Sequence, residues 1–380
     1  MRILHVVTGL NTGGAELLLC DLSERLAMAG FEQRVVSLLP EGPLSGRIRG
    51  NGLRCIHLGL RRGRLDFSGV KALVSEIRAY EPAVIHAWMY HACVYATVSR
   101  RAAPRKAALL WGIHHANLHF SSNTPSTLLA ATACGLLSYG SDVHITYCAE
   151  SSRIAHESRG YCGKRGVFIP NGYAGEKFFR CRELGRRVRE RFNIPDNKIV
   201  MGMVARYDPI KDHATFLQAA RAAKESDDRL VFLLFGDGVD RSNSALVRLV
   251  EQNGLGSSTV LCGRSDDIAA SYSAFDFLVS SSRGEAFSNV ICEGMLCELP
   301  CIATNVGDSA IIVGDTGYIV PPGSPDELGR AMREAAGLSE TARVRLGTAA
   351  RERIITNYAE DRFVSRYIDA YHALAAGQWL

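Results

Sequence analysis

Two successive series of short apolar runs, each run parted from the next by a helix-sized amphipathic stretch, constrain this 380-residue chain more than any other feature. The first series opens with RILHVVTGL at residues 2–10. It continues through GGAELLLCDLSERLAMAG, a helical pattern stopped at Gly30, and returns to a strand in FEQRVVSLL. RCIHLGL, AVIHAW and KAALLWGIHH follow, with helices near 68–80 and 90–101 between them, and VHITYCAE and RGVFIP read as the last strands. The second series begins after IPNGY. KIVMGMVARY, RLVFLLFGDG, STVLCGR, FDFLVSSS, LPCIATNVG and GYIVPP are its strands, and helices fall at 212–225, near 242–252, near 266–274, at 289–297 and from about 325. Strands separated by helices imply parallel sheets joined by right-handed crossovers. The length exceeds what one core serves, so the class is α/β with two domains, 1–170 and 171–359, followed by an amphipathic helix over about 360–380. Ligands of open parallel sheets bind beyond the carboxyl ends of the strands. Two such sheets facing each other put their strand exits across one central cleft.

Composition removes several classes. Apolar residues make up 47% and charged residues 22%, as in a globular protein, and no apolar run reaches the roughly 20 residues of a membrane-spanning helix. The N-terminus reads as a first strand and not a signal peptide, since no small-residue cleavage signature follows it. Eleven scattered cysteines without CxxC pairs fit free thiols in a reducing cytoplasm. Residues 1–170 carry 19 Lys and Arg against 11 Asp and Glu, whereas 171–380 carry 25 against 28. The excess gathers at Arg61, Arg62 and Arg64 and at Arg100, Arg101, Arg105 and Lys106. Such a half suits an anionic membrane surface or an anionic lipid-linked substrate, and equally an ordinary basic surface. Nucleic acid is not indicated, because no basic patch interleaved with aromatics is present.

Four places can carry chemistry. In TGLNTGGAE, Gly13 and Gly14 precede a helix and let backbone N–H groups approach an anion, or simply make a tight turn. In ARYDPIKDH, Arg206 and Lys211 offer a fork and a point charge to a diphosphate, unless Asp208 and Asp212 hold them in surface ion pairs. In SSSRGEAFSNVICEGM, Glu285 leaves a strand, and Phe287, Ser288 and Asn289 bring N–H groups to a helix start. Glu293 stands one turn beyond Asn289, and two such carboxylates suit vicinal sugar hydroxyls, helix capping being the plainer alternative. Lastly, His86, His91, His114, His115 and His119 fall near strand exits, but no HExxH or Cys/His ligand spacing points to a metal.

Glu285 and Glu293 in E-x7-E, the Arg206–Lys211 pair, Gly13-Gly14, FIPNGY at 168–173 and GYIVPPGSPDEL at 317–328 together resemble the retaining family 4 glycosyltransferases of the GT-B fold, over essentially the whole length. The resemblance implies two Rossmann-like domains, the first for the acceptor and the second for a nucleotide-sugar, with the last helix packing back on the first. It implies that Arg206 and Lys211 neutralise the leaving diphosphate, and that Glu293 bonds the ribose. Glu285, Phe287 and Ser288 would hold the donor sugar and phosphate, beside Asn289. Gly14 would face the phosphates, Gly263 and Arg264 the base, and His114 the donor sugar. The implied activity is metal-independent hexosyl transfer from a UDP- or GDP-sugar, without cofactor, to a saccharide or lipid-linked acceptor. WMYHA and WGIHHAN resemble the branch that builds bacterial surface polysaccharides, including lipopolysaccharide and exopolysaccharide, in the cytoplasm or on the inner face of the plasma membrane. A sugar-nucleotide epimerase or hydrolase, or a non-catalytic nucleotide-sugar-binding protein, is the alternative. The chain departs from the family at Asn171-Gly172-Tyr173-Ala174, where Asn-Gly-x-Asp is usual, at Glu298, and at VGDSA.

Overall fold

The computed structural model describes residues 1–61, 63, 66–103, 107–116, 118, 123–140 and 143–378. Arg62, Arg64, Arg105, Lys106 and His119, named above, lie outside them. The chain forms two compact units, Met1–Gly172 with Asp361–Leu380, and Tyr173–Glu360. Among the described residues no helix is long and apolar enough to cross a membrane. All eleven cysteines are free thiols.

The first unit is built on seven parallel strands: β1 (Arg2–Val7), β2 (Glu32–Ser37), β3 (Arg54–His57), β4 (Val84–Trp88), β5 (Ala108–Ile113), β6 (Val143–Tyr147) and β7 (Gly166–Phe168). Their spatial order is β3-β2-β1-β4-β5-β6-β7, so the winding reverses between β1 and β4. Helices cover both faces, which is why these strands read as apolar runs and not as alternating ones. Leu4, Val6, Ile85, Ala87, Leu109 and Trp111 meet one layer, with Leu73, Ile77, Tyr90 and Cys93. Ile3, Val7, Val84, Trp88 and Leu110 meet the other. There Leu18, Leu19, Leu22 and Leu26 of helix Gly14–Met28 are joined by Phe363, Tyr367, Tyr371 and Leu374 of the last helix, Glu360–Ala375.

This second face buries polar rings, and each needs a partner. Register sets His5 beside His86 and Trp88 beside Gly112. The indole Nε1 of Trp88 donates to His5 Nδ1 at 3.3 Å, so the His5 proton sits on Nε2 and is donated to Gln33 Oε1 at 3.2 Å. His86 Nδ1 and the Tyr371 hydroxyl share a 2.8 Å hydrogen bond. Burial lowers His5 to about 4 and His86 well below 6.5, so both stay neutral. His86 therefore lies inside a core strand, not at the strand exit where the sequence suggested it. Tyr371→Phe leaves a buried imidazole nitrogen without its partner, an expected loss of about 1–3 kcal/mol. Thermal unfolding should register this as a fall of several degrees, and an unchanged midpoint would remove the bond from the account.

The second unit repeats the plan with six parallel strands, β8 (Ile199–Val204), β9 (Leu230–Phe235), β10 (Thr259–Gly263), β11 (Phe277–Ser280), β12 (Cys301–Thr304) and β13 (Gly317–Val320), in the order β10-β9-β8-β11-β12-β13. Met201, Phe232, Phe277 and Ile302 pack on Phe216 and Leu217 of helix His213–Lys224 and on Leu328 and Met332 of helix Pro325–Ala336. Its winding reverses between β8 and β11. That is the point at which an open α/β sheet leaves room for a ligand.

Candidate functional site

The segments leaving β8 and β11 are tied together at this reversal point. Past β8, Asp208 Oδ1 accepts from the Ile210 amide at 3.0 Å and sets the 3-10 turn Pro209–Lys211. Burial pushes the Asp208 carboxyl up, but the Ile210 amide and Arg206 outweigh it and hold it below the ordinary value. Asp212, in the left-handed region at φ +50°, caps helix His213–Lys224 through Thr215 and accepts from Arg283 Nε at 2.6 Å. Past β11, Ser281 Oγ donates to the carbonyls of Lys211 (2.9 Å) and Asp212 (3.1 Å), and the Arg283 amide donates to Ile210 O at 2.7 Å. One segment is thus hydrogen-bonded onto the other.

Within that frame the Lys211 ammonium contacts Glu285 Oε1 directly, and Ser282 Oγ donates to the same oxygen at 2.8 Å. Both ionic side chains are largely buried, at 18% and 16% exposed. Glu285 Oε2 has no protein partner among the described residues. Arg206 is 64% exposed, with its Nε on Asp208 Oδ2 at 3.0 Å and its terminal nitrogens unengaged among the described residues. The sequence allowed Asp208 and Asp212 to neutralise both cations; Asp208 takes Arg206, and Lys211 goes to Glu285 instead.

The backbone of Glu285 is held from a third strand. Thr304 Oγ1 donates to Ser282 O at 2.6 Å, and the Asp308 amide donates to Ala286 O at 3.0 Å. Between them Gly307 has φ +56°, and a Cβ there would lie 2.6 Å from Glu285 O and closer still to Ala286 O. The VGDSA departure thus supplies a glycine where only a glycine fits.

The segment then enters helix Asn289–Leu296, whose N-cap Ser288 makes no side-chain cap bond. Phe287 and Ser288 are buried. Tyr173 donates its hydroxyl to Asn289 Oδ1 at 2.5 Å and stacks on Phe287 at 6.3 Å. Tyr173 is itself fixed by a bridge to the segment before the last helix, its amide on Tyr358 O (2.9 Å) and its carbonyl accepting from Glu360 N (3.0 Å). Glu293 is half-buried and receives the Tyr272 hydroxyl on Oε2 at 2.9 Å. Burial raises its carboxyl to about 7, against the pull of that bond. Gly263 ends β10 at φ +72°, and Arg264 is exposed beside it. No hydrogen bond joins Gly263 or Arg264 to the Lys211–Glu285 group among the described residues.

In the first unit Gly13 caps helix Gly14–Met28, and the Glu16 carboxylate folds back over it. The helix start that the sequence offered to an anion already faces an acid of its own. His114 follows β5 and stacks on Trp88 at 5.1 Å and 11°. Burial lowers it to about 4, so it is neutral, and neither ring nitrogen has a protein partner among the described residues. Its amide donates to Met89 Sδ at 3.3 Å, and Met89 leaves β4 at φ +70°, an outlier of the kind that gathers at ligand sites. Beside it lies a pocket of about 300 Å³, lined in part by Thr8, Glu16, Arg61, Met89, His91 and Thr127. Among the described residues no three His, Cys, Asp or Glu side chains gather as metal ligands do.

Sequence reasoning missed Ser282, Arg283, Asp212, Tyr173 and Tyr272 as parts of the site. The first two stand inside the glutamate stretch, but the Arg283 side chain and the Ser282 carbonyl are held by Asp212 and Thr304, which follow other strands or end them.

Two outcomes follow from this geometry. Gly307→Ala should displace Glu285 and Ala286, costing about 1–3 kcal/mol and weakening any ligand at Glu285; a variant with native stability and binding would refute the close approach. The second concerns the Glu293 proton. An unfolded Glu293 ionises near 4.5 and the folded one near 7, so its stabilising contribution is complete below 4.5 and is lost as pH rises toward 7. Glu293→Gln should therefore gain melting temperature relative to wild type on going from pH 4.5 to pH 8. A difference that ignores pH would contradict the raised ionisation.

A family model described as Glycosyltransferase Family 4 matches residues 12–175, and one described as Glycosyl transferases group 1 matches residues 198–337. N-acetyl-alpha-D-glucosaminyl L-malate synthase of Bacillus anthracis is 27% identical over 190 residues, covering 49% of this chain and 48% of that protein. D-inositol 3-phosphate glycosyltransferase of Salinispora arenicola is 30% identical over 211 residues, 52% and 46% of the two chains. The chain thus spans about half the length of these relatives. The crystal structure of Anabaena HepE in complex with UDP and glucose superposes with a TM-score of 0.83 at 20% identity, over 97% of this chain and 98% of that one. At that identity the likeness speaks for the fold, which is the GT-B fold expected from the sequence.

Proposed function

We propose that this chain, whose two units belong to the glycosyltransferase families matched above, moves a hexose or N-acetylhexosamine from a nucleotide-diphosphate sugar to a hydroxyl of a saccharide or lipid-linked acceptor. The observation that carries the reading is the Lys211–Glu285 pair at the reversal point of the second sheet, just before the uncapped start of helix Asn289–Leu296. Lys211, the free end of the Arg206 guanidinium and the helix start supply positive potential for a diphosphate without a divalent ion. Glu285 Oε2, left open by Lys211 and Ser282, is an acceptor for sugar hydroxyls. Glu293, once ionised, accepts from a ribose diol. The UDP bound in HepE favours a UDP-sugar, and the N-acetylglucosaminyl group in the name of one relative is consistent with an N-acetylhexosamine.

The step proposed is same-face displacement with retained configuration. The bond from the anomeric carbon to the β-phosphate oxygen breaks, and the acceptor oxygen bonds to that carbon. The departing phosphate oxygen takes the acceptor's proton. Charge grows on the diphosphate as the bond opens, so Lys211 acts more on turnover than on binding. Neutral His114 can exchange hydrogen bonds with a sugar hydroxyl but brings no charge.

Lys211→Ala should lower kcat by about 10²–10³ with a smaller change in KM. The reading is tested by incubating the protein with UDP-glucose, UDP-N-acetylglucosamine and GDP-mannose with and without acceptors, and reading the product's anomeric configuration by NMR. Donor consumed at full rate without acceptor, or an inverted product, would sink it.

A further inference from the structure

No Asp, Glu, Lys or Arg occurs between Lys106 and Asp142, and helix Pro125–Leu137 lies inside this uncharged run. Its inner face buries Ala130, Ala131 and Cys134. A surface helix ordinarily turns polar residues outward. This one turns out Leu129 and Leu136, 65% and 77% exposed, with Tyr139 just beyond its end at 67%. Thr132, between the two leucines, directs its hydroxyl back to its own helix, onto Leu128 O at 2.9 Å. Cations border this apolar face. Arg159 lines a hollow with Leu128 and Thr132. Arg165 donates to Gly140 O at 2.6 Å, and the Arg101 guanidinium lies 2.9 Å from where a Cβ on Gly140 would stand.

We propose that helix Pro125–Leu137 and Tyr139 form a docking face for an anionic lipid bilayer. The leucines and tyrosine enter the boundary between headgroups and acyl chains, while Arg101, Arg159 and Arg165 meet lipid phosphates. A helix of this length lies in the plane of the interface and does not cross it. Charge complementarity selects the bilayer over a second copy of the chain, since a symmetric contact through one face brings the same arginines together. Residues 1–170, with 19 Lys and Arg against 11 Asp and Glu, add long-range attraction of the same sign. The docking helix is also a wall of the binding region. Ser126, Leu129, Ala130 and Ala133 line a small cavity with His91 and Tyr95, and Ser126, His91 and Tyr95 line the 300 Å³ pocket as well. On the transfer reading above, and resting on it, the acceptor is then amphipathic and reaches the pocket from the lipid surface.

The docking itself is tested without turnover, by co-sedimenting the full chain with vesicles of phosphatidylcholine alone or with about one third phosphatidylglycerol. Partitioning to anionic vesicles should exceed that to neutral ones by about tenfold or more and fall with salt. Leu136→Glu with Tyr139→Glu, both outside the pocket, should cost about tenfold or more of that partitioning while leaving donor consumption with a soluble acceptor unchanged. Should that variant misfold by circular dichroism, Arg101→Gln with Arg159→Gln keeps the apolar face and should abolish the preference for anionic vesicles. Equal partitioning of wild type to both vesicle types would overturn the proposal. So would a lipid-free dimer that Leu136→Glu with Tyr139→Glu dissociates, because a second copy would then own the face.

Discussion

The ion pair between Lys211 and Glu285 joins segments that leave two neighbouring strands of the second sheet, and the surrounding polar contacts serve to keep it there. Ser281 and the Arg283 amide bind the two segments to each other, Ser282 holds the glutamate's carboxylate, and Thr304 and Gly307 press the backbone around it from a third strand. An ammonium so held, largely out of water, has already lost much of its hydration. On the proposed reading, a phosphate arriving beside it would exchange one anionic partner for another and release the carboxylate toward hydroxyls at the same moment. Binding of the anionic and the sugar parts of one ligand would thereby be linked through a single pair.

The first unit carries less charge at the reversal of its sheet. His114 and His86 are kept neutral by burial, and the helix start at Gly13 is already covered by Glu16. What this unit offers at the reversal of its sheet is an aromatic and apolar floor, Trp88 under His114 and Met89 in a strained turn, with a few polar groups above it. The two units share a plan and differ in electrostatics. That contrast follows from which residues end their strands, Trp88 and Met89 in one, Arg206 and Glu285 in the other.

Much of this could be read from residues alone, and the exceptions have physical causes. Strands buried on both faces appear as runs such as LVFLLF, so the sheets were visible. Helix Pro125–Leu137 was not, because a segment apolar on every side has no period to detect. Helix Arg182–Arg191 was hidden for the opposite reason: it buries little beyond Gly185. At the site, Lys211 and Glu285 were visible as candidates, yet their bond was not, for it joins residues 74 positions apart. His86 was misplaced for the same kind of reason. Its partner Tyr371 lies 285 residues on, and nothing in VIHAW announces it.

The first unit is discontinuous, and its last helix follows the entire second unit. As the ribosome delivers the chain, the sheet face bearing Ile3, Val84 and Trp88 waits through nearly two hundred further residues before Phe363, Tyr367 and Tyr371 emerge to close it. Until then this face is covered only in part, by Leu18, Leu19, Leu22 and Leu26 of helix Gly14–Met28, and the core of this half closes after the whole second unit has been made.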